Sequence, residues 1–234
     1  MKAKFFILAL LLPVLSFAQF TITPSGGLSV PVGKYSKLDI DDEETWAAKP
    51  GIAPALELAY QLNQFIGFGL MGSYVSHSLD KTAYINALKK QTSLDFGGYA
   101  DNYVAYYGLF GLKVGYFSDQ FEVSLMPAVG YGYSDFQTTA LTSYGPPPVV
   151  NVDVTNYDAS GIFYGLSSSF KTYINGFFGV GLNIAYVQAD LEKDGLSLVS
   201  ALGPGGNEVR RDFFTIGFKP QMLNVNLALT FRIR

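Results

Sequence analysis

The segment Leu223-Asn-Val-Asn-Leu-Ala-Leu-Thr-Phe-Arg-Ile-Arg234 alternates bulky apolar residues with polar or small ones, without a break. Successive side chains on an extended strand point to opposite faces, so this pattern describes a strand with one apolar and one polar face. A sandwich in water and a barrel in a membrane both use such strands. They differ in which face the rest of the chain buries.

Eight alternating segments can be read, at roughly 20–34, 51–62, 65–78, 103–118, 121–135, 160–174, 177–190 and 221–233. Between the second and third lies only Asn63-Gln64, between the fourth and fifth Asp119-Gln120, and between the sixth and seventh Asn175-Gly176. The last is a strong two-residue hairpin signal. The other four links, around 35–50, 79–102, 136–159 and 191–220, are long and polar. Short and long links alternate, which places all tight turns and both termini at one end and all long loops at the other. An outer-membrane barrel, with periplasmic turns and extracellular loops, has this plan.

Lys2 and Lys4 precede an apolar run from Phe5 to Val14, and small residues stand one and three positions before a cut after Ala18. This predicts a secretory signal peptide over 1–18, the run being shorter than the ~20 residues a membrane helix needs. Removing its two lysines leaves 14 basic residues against 19 acidic, a mature charge near −5. The chain has no cysteine, which excludes disulfides, thiolate metal sites and a lipidated cysteine anchor. Hydrophobic residues make up 49% of it, yet they are interleaved, as a membrane barrel requires and a helical membrane protein forbids.

The parity of each segment is consistent. Leu56, Leu58, Tyr60 and Leu62 oppose Ala55, Glu57, Ala59 and Gln61. Phe121, Val123, Leu125, Pro127, Val129 and Tyr131 oppose Glu122, Ser124, Met126, Ala128 and Gly130. Phe178, Val180, Leu182, Ile184 and Tyr186 oppose Phe177, Gly179, Gly181, Asn183 and Ala185. The second face carries too many glycines and too few charges for a solvated exterior, so it reads as a narrow lumen. On the apolar face Tyr60, Tyr116, Phe121, Phe178 and Phe231 fall near the tight turns, and Tyr74, Tyr106, Tyr131, Tyr164 and Tyr186 near the loops. Ten residues separate Tyr106 from Tyr116 and Phe121 from Tyr131. At ~3.3 Å per residue and a tilt of ~40° that is about 25 Å, the height of an apolar band between two aromatic girdles.

The whole of 19–234 resembles the small outer-membrane β-barrel proteins of the OmpA and OmpX type, in its first segment Gly26-Gly27-Leu28-Ser29-Val30-Pro31-Val32-Gly33, its turn plan and its last strand. The resemblance implies an all-β fold, an eight-stranded antiparallel transmembrane barrel in a Gram-negative outer membrane, with no further domain after it. It also implies contact with outer-membrane lipids including lipopolysaccharide, and assembly by the barrel assembly machinery. In that family the last strand usually ends on an aromatic residue; here Phe231 is followed by Arg232-Ile233-Arg234.

Strand parity sends Glu57, Lys113, Glu122, Lys171 and Arg232 into the lumen with the amides Gln61, Asn183, Asn224 and Asn226. Buried charges must pair, which predicts a salt-bridge network plugging the periplasmic half, as in the barrels the chain resembles. Inward glycines (Gly67, Gly69, Gly111, Gly115, Gly130, Gly181) leave room for water. His77, the single histidine, reads as a rim residue, since Ser78 beside it should point to the opposite face. No hydrolase, zinc-protease or phosphate-loop motif is present, and no cofactor is expected. Asp39, Asp41, Asp42, Glu43 and Glu44 before Trp46 read as a solvated acidic loop without the spacing of a calcium site. Residues 80–91 can form a short helix, Pro146-Pro147-Pro148 a stiff segment, and Arg210-Arg211 with 213–218 an extension of the last hairpin.

The expectation is a monomeric, non-enzymatic barrel serving envelope integrity or surface interaction through its extracellular loops, with a side-chain-filled lumen and no nucleic-acid partner. The alternatives are a small gated channel or transporter of ions or small apolar molecules, a lipid-modifying enzyme, and a secretion accessory barrel.

Overall fold

The computed structural model describes residues 19–39, 45–92, 95–100, 102–136, 139–144, 149–154, 157–203 and 206–233. The expected signal peptide, the carboxylates at 41–44 and the three prolines at 146–148 lie outside the described residues. Eight long strand segments close into one ring: β1 (Gln19–Pro31), β2 with β3 (Gly51–Ile52 and Ala55–Gln61), β4 (Ile66–His77), β6 (Tyr103–Phe117), β7 (Phe121–Phe136), β10 (Tyr157–Tyr173), β11 (Phe178–Ala189) and β14 (Gln221–Ile233). Each pairs antiparallel with its neighbours in the chain, and β14 pairs with β1 to close the ring. The second segment is split because Pro54 cannot continue the ladder; instead its carbonyl accepts from Tyr74 N and Ser73 Oγ, both at 3.1 Å.

The three tight turns share one device. Asn63 Oδ1 accepts from the N–H groups of Phe65 and Ile66, at 2.8 and 2.9 Å. Asn175 Oδ1 accepts from Phe177 and Phe178, at 2.9 and 2.6 Å, so this turn is held by the asparagine side chain rather than by a two-residue hairpin alone. Ser118 Oγ does the same for Phe121 at 3.0 Å.

On the loop side, α1 (Lys81–Thr92) falls where the sequence allows a helix. The strands β5 (Asp95–Ala100), β8 (Thr139–Tyr144), β9 (Val149–Val154), β12 (Leu191–Gly203) and β13 (Gly206–Phe218) form a second sheet in the order β13-β12-β9-β8-β5. Three of the four long links therefore build one structure, and β12 with β13 extends the hairpin of β11 and β14.

The ring's outside is apolar. Leu227 is 75% exposed, Tyr131 63%, Phe110 55% and Leu125 51%, all on the parity that the sequence assigns outward. The inward parity is buried or half-buried along the strands, but Phe177, placed on that parity by the sequence, lies in the tight turn and is 56% exposed. Among the described residues no helix is long and apolar enough to cross a membrane. The strands are the spanning elements, and only hydrocarbon covers such an exterior without an aggregation cost.

Replacing Leu125, midway between the girdles, with Arg will destabilise the barrel in vesicles by about 2–4 kcal/mol, while Ser167→Ala on the inward face will cost less than about 1 kcal/mol. Urea titrations followed by the heat-dependent gel shift of folded barrel check both values.

Candidate functional site: a lumen closed at two levels

Four of the five predicted lumen charges come from β3, β6, β7 and β10. Glu57 on β3 points inward because Leu56 and Leu58 point outward, Lys113 on β6 stands opposite Gly67, and Glu122 on β7 is in register with Lys171 on β10. Their side chains meet in a closed ring. Lys113 Nζ lies 2.6 Å from Glu57 Oε1 and 2.7 Å from Glu122 Oε1; Lys171 Nζ lies 2.8 and 3.3 Å from the same two oxygens. Two cations and two anions cancel, and none of the four is more than 3% exposed.

Neutral donors complete the shell. Gln61 Nε2 and Tyr173 Oη donate to Glu122 Oε2 at 3.3 and 3.2 Å, and Ser124 Oγ donates to Oε1 at 3.2 Å. Lys171 also donates to Thr23 Oγ1 at 3.2 Å, and Thr23 in turn shares a 2.5 Å hydrogen bond with the Thr230 hydroxyl.

Arg232 is not in this ring. It stacks 3.5 Å over the Tyr173 ring, donates to the carbonyls of Ser118 (2.9 Å) and Asp119 (3.4 Å), and lies 3.6 Å from the Asp119 carboxylate. It ties the end of β14 to the β6–β7 turn and reaches the ring only through Tyr173.

Three of the inward glycines, Gly69, Gly111 and Gly181, make room for long side chains. A Cβ at Gly181 would sit 2.8 Å from Lys171 Cγ, and one at Gly111 would sit 2.8 Å from Met126 Cγ. Gly69 and Gly111 face each other across β4 and β6, and Met126 lies over both. Asn183 and Asn226 are cross-strand partners on the opposite wall, while Asn224 donates to Tyr107 Oη at 2.9 Å.

Above this level the lumen departs from the small, polar filling that parity suggests. Met71, Val75, Leu109, Phe163, Val187 and Met222 are buried inward. The first long link folds into the mouth over them. A 3-10 turn, Gly33–Ser36, begins at a Gly33 φ of +62° that favours glycine and carries Tyr35 inward. Tyr35, Trp46, Tyr103 and Phe218 then pack together, with Trp46 and Phe218 edge to face at 4.9 Å and 84°, Tyr35 and Phe218 edge to face at 5.4 Å and 84°, and Tyr103 tilted 30° against Phe218. Tyr103 Oη donates to the Trp46 carbonyl at 2.8 Å.

His77 is part of this lid and not a rim residue. It is 1% exposed, with Nδ1 3.0 Å from Tyr35 Oη and Nε2 2.8 Å from Ser29 Oγ. Burial pushes the Tyr35 phenol well above its usual range, so it stays a neutral hydrogen-bonding group. Ser29 and His77 have the spacing of a nucleophile and its base, but both are sealed beneath aromatic rings and the third member is a phenol, not a carboxylate. The arrangement locks the lid. Asp39, the one described member of the acidic run, is exposed.

The sequence pattern missed this upper plug. Its signal was two large aromatics, Tyr35 and Trp46, inside a link read as polar.

No family model matches the sequence, and no curated protein does. Solved structures of similar kind include Ail, the attachment invasion locus protein of Yersinia pestis (13% identity, TM-score 0.44, covering 93% of this chain and 99% of that one). Others are a major outer membrane protein from Thermus thermophilus (10%, 0.48, 92% and 99%) and the outer membrane protein OprG from Pseudomonas aeruginosa (13%, 0.39, 93% and 97%). The fold is an eight-stranded antiparallel transmembrane β-barrel, the architecture of the small outer-membrane barrels. Its strand pairings and apolar belt carry that statement, and the likenesses accompany it.

Glu57→Gln leaves the ring with two cations for one anion and will destabilise the folded barrel by about 3–5 kcal/mol. Glu57→Gln combined with Lys113→Met, which restores neutrality, will cost less than the two single changes added. A double-mutant cycle from urea unfolding in vesicles measures the difference.

Proposed function

We propose that this protein is a non-enzymatic barrel of the outer membrane that acts through its extracellular sheet, the barrel being an anchor with a closed lumen. One observation carries the reading: the lumen is shut at two levels by unlike chemistry, a neutral ion ring below and an aromatic lid above, while three of the four long links are spent on a sheet beyond the belt. Eight strands enclose little more than side chains, so solutes have no path between these plugs. The competing reading is a gated conductance. It draws on the sharing of both carboxylates by both lysines, which would let partners exchange.

Single-channel recording in planar bilayers separates the two. Wild type, Glu57→Gln and Tyr35→Ala are each expected to be silent, because one plug survives in every case, and openings are expected only when Glu57→Gln and Tyr35→Ala are combined. Wild-type openings that change size with Glu57→Gln alone would sink the anchor reading. Replacing 192–217 with a short turn should keep the heat-dependent gel shift and abolish attachment of expressing cells to surfaces.

A further inference from the structure

The outer wall is not uniform. Pairing of β6 with β7 runs unbroken from Val104–Asp135 to Gly111–Ala128, stops opposite Pro127, and resumes at Val114–Leu125. Proline brings no N–H to the ladder, and its small ring stands in a row of larger side chains. The result is an apolar groove of about 600 Å³ on the lipid-facing surface, walled by Phe110, Leu112, Val129 and Leu166.

The groove has one polar end. Tyr186 Oη donates to Gln188 Oε1 at 2.6 Å, and Gln188 Nε2 donates to Tyr164 Oη. The chain of donors stops there, for the Tyr164 proton has no acceptor among the described residues. Tyr164 and Tyr186 belong to the loop-side girdle, at the depth where the ester carbonyls of the outer leaflet lie. A partnerless donor next to an apolar groove matches a molecule with a carbonyl acceptor at the head of a hydrocarbon chain.

We propose that this groove binds one acyl chain of an ester-linked outer-leaflet lipid, the chain lying over Pro127 and its ester carbonyl accepting the Tyr164 hydroxyl. The site is independent of the lumen and of the extracellular sheet.

Native mass spectrometry of the refolded full-length mature barrel, titrated with palmitoyl-oleoyl phosphatidylethanolamine or its diether analogue, tests it. Wild type is expected to retain one diester lipid about fivefold more tightly than the diether, the worth of one neutral hydrogen bond. Tyr164→Phe, nearly isosteric and foldable, should bind both lipids equally, at the diether level. Val129→Trp, which fills the groove, should lose retention of either lipid by at least tenfold while keeping the gel shift of folded barrel. Equal wild-type affinity for diester and diether would overturn the carbonyl contact. Undiminished retention by Val129→Trp would overturn the groove as the site.

Discussion

In hydrocarbon an unpaired backbone N–H or C=O costs several kcal/mol, and every other feature of this molecule is subordinate to that cost. Closing β14 onto β1 removes the two edges that an open eight-stranded sheet would present to lipid. Besides Pro54, two further places where proline breaks a ladder are instructive. Pro24 interrupts β1–β14 between Ile22–Phe231 and Ser25–Ala228, and Pro127 interrupts β6–β7. At the first gap the Thr23 and Thr230 hydroxyls bond to each other, and at the second Lys113 enters the ion ring. Side-chain bonds thus hold the wall together at the level where backbone bonds are missing.

That gives the ion ring a structural reason beyond filling space. A hydrophobic plug of equal volume would often be as stable, but it could not reach across the lumen from β3, β6, β7 and β10 with directed bonds. The ring ties four of the eight strands through two oxygen atoms, and Thr23 adds β1 as a fifth. The Lys171 stem requires a glycine beside it, Gly181, where a Cβ would sit 2.8 Å from Lys171 Cγ.

The strand positions, the turn sites and the inward parity of the ring's four members were legible in the sequence because each follows from period-two alternation, a property local to a strand. Glu57 had to face inward once Leu56 and Leu58 faced out. Arg232 was placed on the right face, but parity says nothing of height along the barrel axis, so its seat on Tyr173, outside the ring, was not readable. His77 was misread for a related reason. Its parity was known, while the aromatic lid that buries it is contributed by a link without periodicity. The loop sheet pairs strands far apart in the chain, such as β9 with β12, and such partners are chosen by tertiary contacts that no local pattern records.

The lid itself is stitched down rather than laid loosely on the mouth. Ala47 takes a φ of +46°, a conformation that costs a non-glycine residue roughly 1–2 kcal/mol, so surrounding bonds must hold it there. They do: Ala47 N donates to Lys37 O at 2.7 Å, Ala48 N to Tyr35 O at 3.0 Å, and the Ala47 carbonyl accepts from Asp80 N at 2.8 Å. Asp80 is the junction. Its carboxylate accepts the Ala83 N–H at the start of α1 and lies 3.1 Å from Lys49, contacts that hold its acidity above the ordinary. One residue after β4 therefore fixes the lid, its flanking lysine and the first turn of the helix together. A lid held by backbone bonds on both sides of its strained residue cannot swing aside as a unit without breaking them all. Opening the upper lumen would require breaking the bonds that hold the link on both sides of Ala47.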